Sequence, residues 1–417
     1  MTSDLIERSV GPGVHEALTD TRVVFVMGAR QVGKSTLVSQ ITPAGGEFHV
    51  VTLDDKTTRD AARADPTGFV AGVARPVAVD EVQRAPDLLL AIKSAVDADP
   101  APGQFLLTGS ANVLANRKVK DALTGRMEIV TLWPFSQAEL DGTRVNLIDQ
   151  LLSGQPPWID DAPVGRQAFV HRVAAGGYPE ALRRSGRRRD AWFRDYVDTT
   201  LDRDLHDVSD ALKLHEMPRL LRLLASQAAG LLNYSTIAER LQLHPTTVTS
   251  YVQLLETVFL VRRIPAWRPG LGAREVATPK LSVVDSGLLA YLLGADEDRI
   301  ATDDQVTGKV LENFALMEVM KLAQWAKTDV RLFHYRDGRD EVDIVLETRS
   351  GDLVALEIKA SASLGAASRR GLTKFRDLVG SRLRAGIVLY TGKQTVPLGD
   401  RLWAVPLSGL WASPDAR

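Results

Sequence analysis

The sequence has no cysteine, no excess of charge of either sign and no long apolar run. The absence of cysteine excludes disulfide bonds, thiolate metal sites and cysteine nucleophiles. Lysine and arginine total 51 against 52 aspartates and glutamates, so any attraction to nucleic acid or to a membrane must come from a local patch. No stretch reaches the roughly 18 apolar residues that a transmembrane helix needs, and residues 1–8 carry acids where a signal peptide would be apolar. The chain is therefore predicted to be cytoplasmic, without a membrane segment.

The most informative stretch is a strand, loop and helix pattern at residues 21–37. The apolar run 23–27 predicts a buried strand, and it leads directly into a complete phosphate-binding loop pattern. The glycines let backbone N–H groups turn inward, Lys34 is spaced to reach the β- and γ-phosphates, and the Ser35 hydroxyl is spaced to ligate Mg²⁺. A chance glycine-rich turn is the alternative. The predicted binding residues are Gly28, Ala29, Arg30, Gln31, Val32, Gly33, Lys34, Ser35 and Thr36.

A second short apolar strand ends in two acids, Asp80 and Glu81. At the carboxyl end of a parallel strand, Asp80 is predicted to support the Mg²⁺ ion and its water shell. The next carboxylate, Glu81, is predicted to orient or deprotonate the water that attacks the γ-phosphate. An acidic pair of this kind, taken alone, is also typical of a solvated turn.

Two later segments add candidate residues. Residues 104–112 predict a strand beside the Asp80 strand, so Thr108, Ser110 or Asn112 is expected near the γ-phosphate, with a helix N-cap at Ser110 as the alternative.

Gly125 and Arg126 open a fifth strand. Arg126 is interpreted either as a finger that stabilises the transferred phosphate, on a neighbouring subunit, or as a surface arginine.

These motifs together resemble a known family. Residues 28–35, 77–81, 106–110, 125–126 and 132–139 look like the AAA-type ATPases joined to a C-terminal domain of unknown function, which are common in bacteria and archaea. The resemblance extends along the rest of the chain. It implies ATP rather than GTP as the ligand, with Lys34 and Ser35 on the phosphates and Mg²⁺. It also implies Asp80 and Glu81 as the acidic pair and Arg126 as the finger of a homo-oligomer.

The middle of the chain predicts helices. Residues 176–180 and the pair Arg203 and Asp204 resemble further features of the same family. Arginines cluster between residues 183 and 189, and they indicate either phosphate contacts or a solvated helix face. Residues 220–263 predict a winged helix-turn-helix, in which Ser235 caps the helix 236–241 and the helix 246–260 offers Thr246, Thr247, Thr249 and Gln253 to a DNA groove. That helix has almost no basic charge, so packing or protein contact is an equal alternative.

The C-terminal part predicts a β-hairpin that carries acids. If Glu347 pairs with Leu353, then Asp343 lies across from Glu357, and Lys359 lies on the same face. This arrangement resembles the metal-dependent nuclease core, with Glu312 in the place of its accessory acid. In an active nuclease the acids bind Mg²⁺ and Lys359 helps to activate water. The alternative is a salt-bridged hairpin without cleavage.

The sequence as a whole predicts an α/β protein in four parts. Residues 1–133 are a P-loop, AAA-type parallel-sheet domain that binds ATP, and 134–215 are a helical lid or linker. Residues 216–270 are the winged helix-turn-helix, and 271–417 are a restriction-endonuclease-like α/β domain. The expected function is Mg²⁺-dependent ATP hydrolysis acting on DNA or a DNA-associated partner. The alternatives are an ATP-gated, metal-dependent nuclease, and an ATP-dependent switch or protein remodeller without nucleic-acid activity.

Overall fold

The computed structural model describes residues 5–41, 46–109, 123–144, 146–162, 166–204 and 214–412. The first part of the chain forms a five-stranded, wholly parallel sheet in the order β2-β3-β4-β1-β5. Its strands are β1 (Val23–Met27), β2 (His49–Thr52), β3 (Val77–Asp80), β4 (Phe105–Gly109) and β5 (Met127–Thr131). The predicted position of β4 beside the Asp80 strand is confirmed. The carboxyl ends of β1 and β3 therefore meet at one edge of the sheet.

Helices cover both faces of this sheet. Side chains alternate along β1, so Val23 and Phe25 pack into one apolar cluster while Val24 and Val26 pack into another. Asp55 and Asp65 accept backbone N–H bonds as N-caps, which fixes where α3 and α4 begin. The helices of this part are α1 (Gly11–Asp20), α2 (Lys34–Gln40), α3 (Lys56–Ala64), α4 (Pro66–Gly72) and α5 (Leu88–Ala98).

The middle of the chain is helical and ends in a two-stranded antiparallel hairpin. Its first helices are α6 (Gln137–Leu140), α7 (Leu147–Leu152), α8 (Arg166–Ala175), α9 (Pro179–Leu182) and α10 (Gly186–Thr199). Three more helices precede the hairpin: α11 (Met217–Ser226), α12 (Tyr234–Leu241) and α13 (Pro245–Thr257). The hairpin strands are β6 (Val261–Ile264) and β7 (Lys280–Val283), with α14 (Leu271–Glu275) between them. The cap expected at Ser235 was wrong, because the Asn233 side chain accepts the Thr236 N–H bond instead.

The C-terminal part is a six-stranded mixed sheet packed against helices. The strand order is β12-β13-β11-β10-β9-β8. The strands are β8 (Val330–Asp337), β9 (Asp340–Thr348), β10 (Leu353–Lys359), β11 (Leu383–Tyr390), β12 (Val396–Gly399) and β13 (Leu402–Pro406). The helices are α15 (Ser286–Leu292), α16 (Glu297–Thr302), α17 (Asp304–Leu322) and α18 (Arg370–Val379). Helix α17 is buried on nearly all sides, as expected for a helix inside a core.

One apolar core joins the parts of the chain. It runs from Val24 in the parallel sheet, through the middle helices and α17, to Trp411 near the end. The hairpin β6–β7 has one strand on each side of the domain boundary expected between residues 270 and 271. The boundaries of the four expected domains stay predictions. Within the described ranges, no helix is both long enough and apolar enough to cross a membrane.

Candidate functional site

The predicted phosphate-binding loop lies between β1 and α2, and its backbone has the conformations that its glycines permit. Gly33 has φ 96° and Gln31 has φ 59°, both in the left-handed region. A Cβ atom at Gly28 would come within 3.1 Å of the Leu132 carbonyl carbon, so a side chain there would collide with the backbone. The loop therefore depends on glycine at both ends, as the sequence pattern predicts.

Lys34 folds back over the start of this loop. Its side chain is buried, and Nζ donates hydrogen bonds to the Gly28 carbonyl at 3.2 Å and to the Ala29 carbonyl at 2.9 Å. These acceptors are neutral backbone oxygens. A phosphate oxygen would compete with them for the ammonium on favourable terms, because charge-assisted hydrogen bonds are stronger.

Ser35 and Asp80 are brought together by the meeting of β1 and β3 at one sheet edge. The Ser35 hydroxyl donates to the Asp80 carboxylate, with oxygen distances of 3.0 and 3.1 Å. Thr108 on β4 also donates to Asp80, and its hydroxyl accepts the Glu81 N–H bond at 3.2 Å. Hydroxyl and carboxylate oxygens are the ligands that Mg²⁺ prefers, so the side chains present fit this ion.

Glu81 follows β3 in a strained backbone conformation. Its φ is 60°, which is uncommon for a residue with a side chain. Its carboxylate accepts a hydrogen bond from the Gln83 amide. Such strain persists where the surroundings impose it, and it often marks functional positions.

Arg126 and Ser110 do not join this group in the described structure. Arg126 precedes β5, whose Met127 pairs with Val23 at the amino end of β1, so it lies at the edge opposite the phosphate-binding loop. It forms a two-pronged ion pair with Asp97, at 2.5 and 3.0 Å. Within one chain Arg126 is therefore remote from the loop, and a finger acting on a neighbouring subunit stays a prediction. Ser110 and Asn112 lie outside the described residues, as do the side chains of Arg203 and Asp204.

A second cluster of charged side chains lies in the C-terminal part. The predicted register is confirmed, since Leu353 pairs with Glu347 and Leu356 with Ile344. Asp343 is buried and accepts the Ile358 N–H bond at 2.8 Å. Lys359 Nζ lies 2.6 Å from Glu357 Oε1.

No sequence motif indicated the side chain that joins this cluster to the helices. Lys280 on β7 is almost fully buried, and Nζ lies 2.8 Å from Glu312, 2.7 Å from Glu341 and 2.9 Å from Asp343. A lysine at the start of a short apolar strand is ordinarily exposed, and no spacing linked it to acids far along the chain. We name Lys280, Glu312, Glu341, Asp343, Glu357 and Lys359 the C-terminal acid cluster.

Three family models match successive stretches of the chain. Residues 20–141 match an AAA domain, residues 166–299 match a domain of unknown function, DUF8612, and residues 307–410 match another, DUF4143. The uncharacterized protein Rv2008c of Mycobacterium tuberculosis is 31% identical over 407 residues, covering 96% of this chain and 84% of that protein. The uncharacterized protein Mb2031c of Mycobacterium bovis matches with the same values. The chain belongs to this family of AAA-type ATPases with a C-terminal domain of unknown function.

Likeness to solved structures is slight. A STAND protein with a tetratricopeptide repeat sensor from Pyrococcus horikoshii has a TM-score of 0.26 and 11% identity, covering 76% of this chain and 45% of that one. AMPPCP-bound DnaA from Aquifex aeolicus has a TM-score of 0.21 and 15% identity, covering 60% of this chain and 86% of that one.

In this AAA-type protein the phosphate-binding loop has a support that sequence reasoning missed. Arg8 is buried, and its guanidinium donates to the Val32 carbonyl at 2.8 Å and to the Trp133 carbonyl at 2.7 Å. The same group pairs with Glu139 at 2.9 Å. Arg8 therefore ties the loop to the segment that follows β5. A lone arginine in an amino-terminal segment carries no motif, so the sequence offered no signal for this role.

The electrostatics of the AAA-type protein differ most from ordinary values in the C-terminal acid cluster. Burial, aided by the nearby Asp343 carboxylate, raises the pKa of Glu357 to about 8. Burial and the same carboxylate raise the pKa of Glu312 well above its usual value. Burial alone would lower the pKa of Lys280, but the surrounding carboxylates outweigh it and raise that pKa. The Lys280 ammonium therefore stays charged, and the cluster holds fewer negative charges at neutral pH than its acids would suggest.

Proposed function

We propose that this protein binds ATP with Mg²⁺ and hydrolyses it at the site formed by the phosphate-binding loop, Asp80 and Glu81. The contact between the Ser35 hydroxyl and the Asp80 carboxylate, at 3.0 and 3.1 Å, is the observation that carries the proposal. A phosphate-binding loop and a strand-end carboxylate, brought within hydrogen-bond distance of each other, form the oxygen-rich pocket that a nucleotide-bound magnesium ion requires.

Each side chain then has a distinct role. The backbone N–H groups of the loop and the Lys34 ammonium hold the phosphates, and Ser35 and Asp80 hold the ion or its water shell. Mg²⁺ supplies neutralisation of the charge that develops on the phosphate oxygens. Glu81 takes the proton of the attacking water, and Thr108 orients Asp80 through its hydroxyl. Arg8 is a positioning residue, since it acts on the loop through the Val32 carbonyl.

Phosphate release from ATP tests this proposal. Glu81→Gln is expected to keep nucleotide binding and lose turnover, whereas Lys34→Ala is expected to lose binding itself. Glu47→Gln and Lys56→Ala, at exposed positions of the same domain, are matched controls with unchanged rates. Turnover in Glu81→Gln equal to that of the wild type would remove Glu81 from the mechanism.

We further propose that the helical middle of the chain binds the phosphate backbone of DNA. Arg219, Arg222 and Arg240 line a depression of about 420 Å³ between α11 and α12. Lys309 donates a hydrogen bond to the Ser226 carbonyl, which lies at the same depression. A local patch of this kind supports phosphate contacts that the neutral overall charge does not.

The helix predicted to enter a DNA groove is a weaker candidate than this depression. On α13, Thr249 donates to the Pro245 carbonyl at 3.0 Å, and Ser250 donates to the Thr246 carbonyl at 3.1 Å. These hydroxyls are thus already bonded within their own helix. The outward face of α13 offers few basic groups, so it neutralises little phosphate charge.

DNA binding is tested by fluorescence anisotropy across a salt series. The charge reversals Arg222→Glu and Arg240→Glu are expected to weaken binding and to flatten its salt dependence. Arg331→Glu, an exposed site on β8, is the control. Absence of any salt-sensitive binding by the wild type would favour a switch or remodeller that acts without nucleic acid.

A further inference from the structure

The acids of the C-terminal acid cluster have the spacing of a metal site. Donor oxygens of Glu312, Glu341 and Asp343 all lie within 4.8 Å of one another. Such a set of carboxylate oxygens resembles the coordination sphere of a hard divalent cation. The resemblance of this domain to metal-dependent nucleases also implies a metal here, so the fit of the residues present decides what the site can do.

A cation of the protein itself already lies among these oxygens. Lys280 Nζ lies 2.7 to 2.9 Å from one oxygen of each of the three carboxylates. An ammonium has three N–H donors and no acceptor, so three carboxylate partners use its full capacity. A divalent ion at the same oxygens would face a positive charge at van der Waals distance. The residues present therefore do not fit a metal unless the ammonium leaves.

The backbone of Lys280 holds this ammonium in place. Lys280 pairs with Ile264 across the β6–β7 hairpin and forms a bridge with Leu231. Its side chain is 1% exposed, so the ammonium lies almost wholly inside the protein. The backbone at the start of β7 is thus held by strand pairing while the ammonium is held by the acids.

The segment around Lys280 is fastened to the same sheet at other points. The Trp267 N–H donates to the His334 carbonyl at 2.6 Å, and the His334 N–H donates to the Pro265 carbonyl at 3.0 Å. Arg274 forms a partly buried ion pair with Glu347 at 2.5 Å. The hairpin loop therefore lies along β8 and β9, which adds to the restraint on Lys280.

The remaining members of the cluster are paired as well. Lys359 bonds to Glu357, and Lys359 is the lysine that a nuclease of this type would use on water. Its ammonium thus bonds to an acid on its own strand. Two internal cations, Lys280 and Lys359, contact the four acids of the cluster, and the buried Glu357 Oε2 has no hydrogen-bond partner among the described residues.

We propose that Lys280 takes the place of a divalent metal in the C-terminal acid cluster, so that this domain binds no such metal and does not cleave nucleic acid by a metal-dependent route. The cluster is instead an ion lock that joins β7 to α17 and β9. The proposal concerns a site apart from the phosphate-binding loop, and it stands whether or not ATP is hydrolysed there.

Isothermal titration calorimetry of the nucleotide-free, full-length protein with Mn²⁺ tests the ion lock. The wild type is expected to show no Mn²⁺ binding that depends on Asp343. Lys280→Met is expected to gain one Mn²⁺ per chain, at least about tenfold tighter than any site of the wild type, and to lose it again with Asp343→Asn. Lys359→Met, the matched control, removes a lysine that bonds to Glu357 and to none of the three acids that bind Lys280, and it is expected to gain no such site.

Two measurements keep the test decisive if Lys280→Met folds poorly. Wild type and Asp343→Asn are compared directly, and Mn²⁺ binding by the wild type that Asp343→Asn abolishes would overturn the proposal. Nicking of supercoiled DNA by the wild type with Mn²⁺, lost in Asp343→Asn, would overturn it too. Where Lys280→Met does fold, a rise in its melting temperature on adding Mn²⁺, absent in the wild type, supports the proposal.

Discussion

The two charged sites of this protein use the same residue types in opposite ways. At the phosphate-binding loop, Lys34 is bonded to neutral carbonyls, while the Asp80 carboxylate is bonded to hydroxyls. In the C-terminal acid cluster, the ammonium of Lys280 is bonded to carboxylates directly. The second arrangement neutralises acids within the protein, so a lysine among carboxylates does not by itself indicate a ligand site.

The largest effect is expected at Glu81. Removing a general base lowers turnover by roughly 10²–10⁴-fold, so Glu81→Gln is expected to lower kcat by at least about 100-fold. Nucleotide affinity, measured by fluorescence of a labelled ATP analogue, is expected to stay close to that of the wild type. A variant that lost affinity and turnover together would assign Glu81 to binding instead.

Loss of Lys280 is expected to lower stability more than loss of an exposed lysine. Lys280→Met leaves buried carboxylates without their cation and is expected to lower the free energy of unfolding by about 3–5 kcal/mol. Lys393→Met, which removes a side chain that is 68% exposed beside Asp161, is expected to cost less than about 1 kcal/mol. Urea denaturation of both variants measures the difference. Equal losses would contradict the account of Lys280 as the cation of a buried acid cluster.

The lock also predicts a pH dependence of stability at His334. Burial and the nearby Lys280 charge lower the pKa of His334 from 6.5 to about 4. Its Nε2–H donates to the Thr278 carbonyl, and Nδ1 has no hydrogen-bond partner among the described residues, so a second proton would have no acceptor. The unfolded chain takes up a proton below pH 6.5 and the folded chain does not. Stability is therefore complete above that pH and falls by about 3 kcal/mol as pH drops toward 4.

Denaturation at several pH values checks this expectation. His334→Gln is expected to flatten the fall in stability between pH 6.5 and 4, while His171→Gln, at an exposed position, controls for the loss of a histidine. A wild-type profile that keeps the same slope after His334→Gln would assign the acid sensitivity to other groups.

The smallest effect is expected at Arg126. Because it is paired with Asp97 at the edge remote from the loop, Arg126→Ala is expected to change turnover by less than about twofold at dilutions where single chains predominate. A finger on a neighbouring subunit would instead give a fall of roughly 10³-fold or more. Turnover measured over a range of protein concentrations separates the two, since a finger in trans acts only in assembled protein.

Sequence patterns predicted the features that depend on neighbours along the chain. The loop pattern, the acidic strand end and the hairpin register each arise from residues close in sequence. The cap at Ser235 failed because Asn233, two residues earlier, competes for the same N–H groups.

The residues that sequence reasoning missed act across long separations. Arg8 pairs with Glu139, 131 positions away, and Lys280 pairs with Asp343, 63 positions away. No local pattern records such contacts, because they depend on how the core brings separate elements together. Glu341 was missed for the same reason, since its partner is Lys280.

Phosphate release by the purified full-length protein, with ATP and Mg²⁺, tests the central claim most directly. The wild type is expected to turn over ATP, and Lys34→Ala is expected to bind no labelled ATP and to release no phosphate. Wild-type protein that neither binds nor hydrolyses ATP, and that Lys34→Ala matches in both assays, would contradict the account.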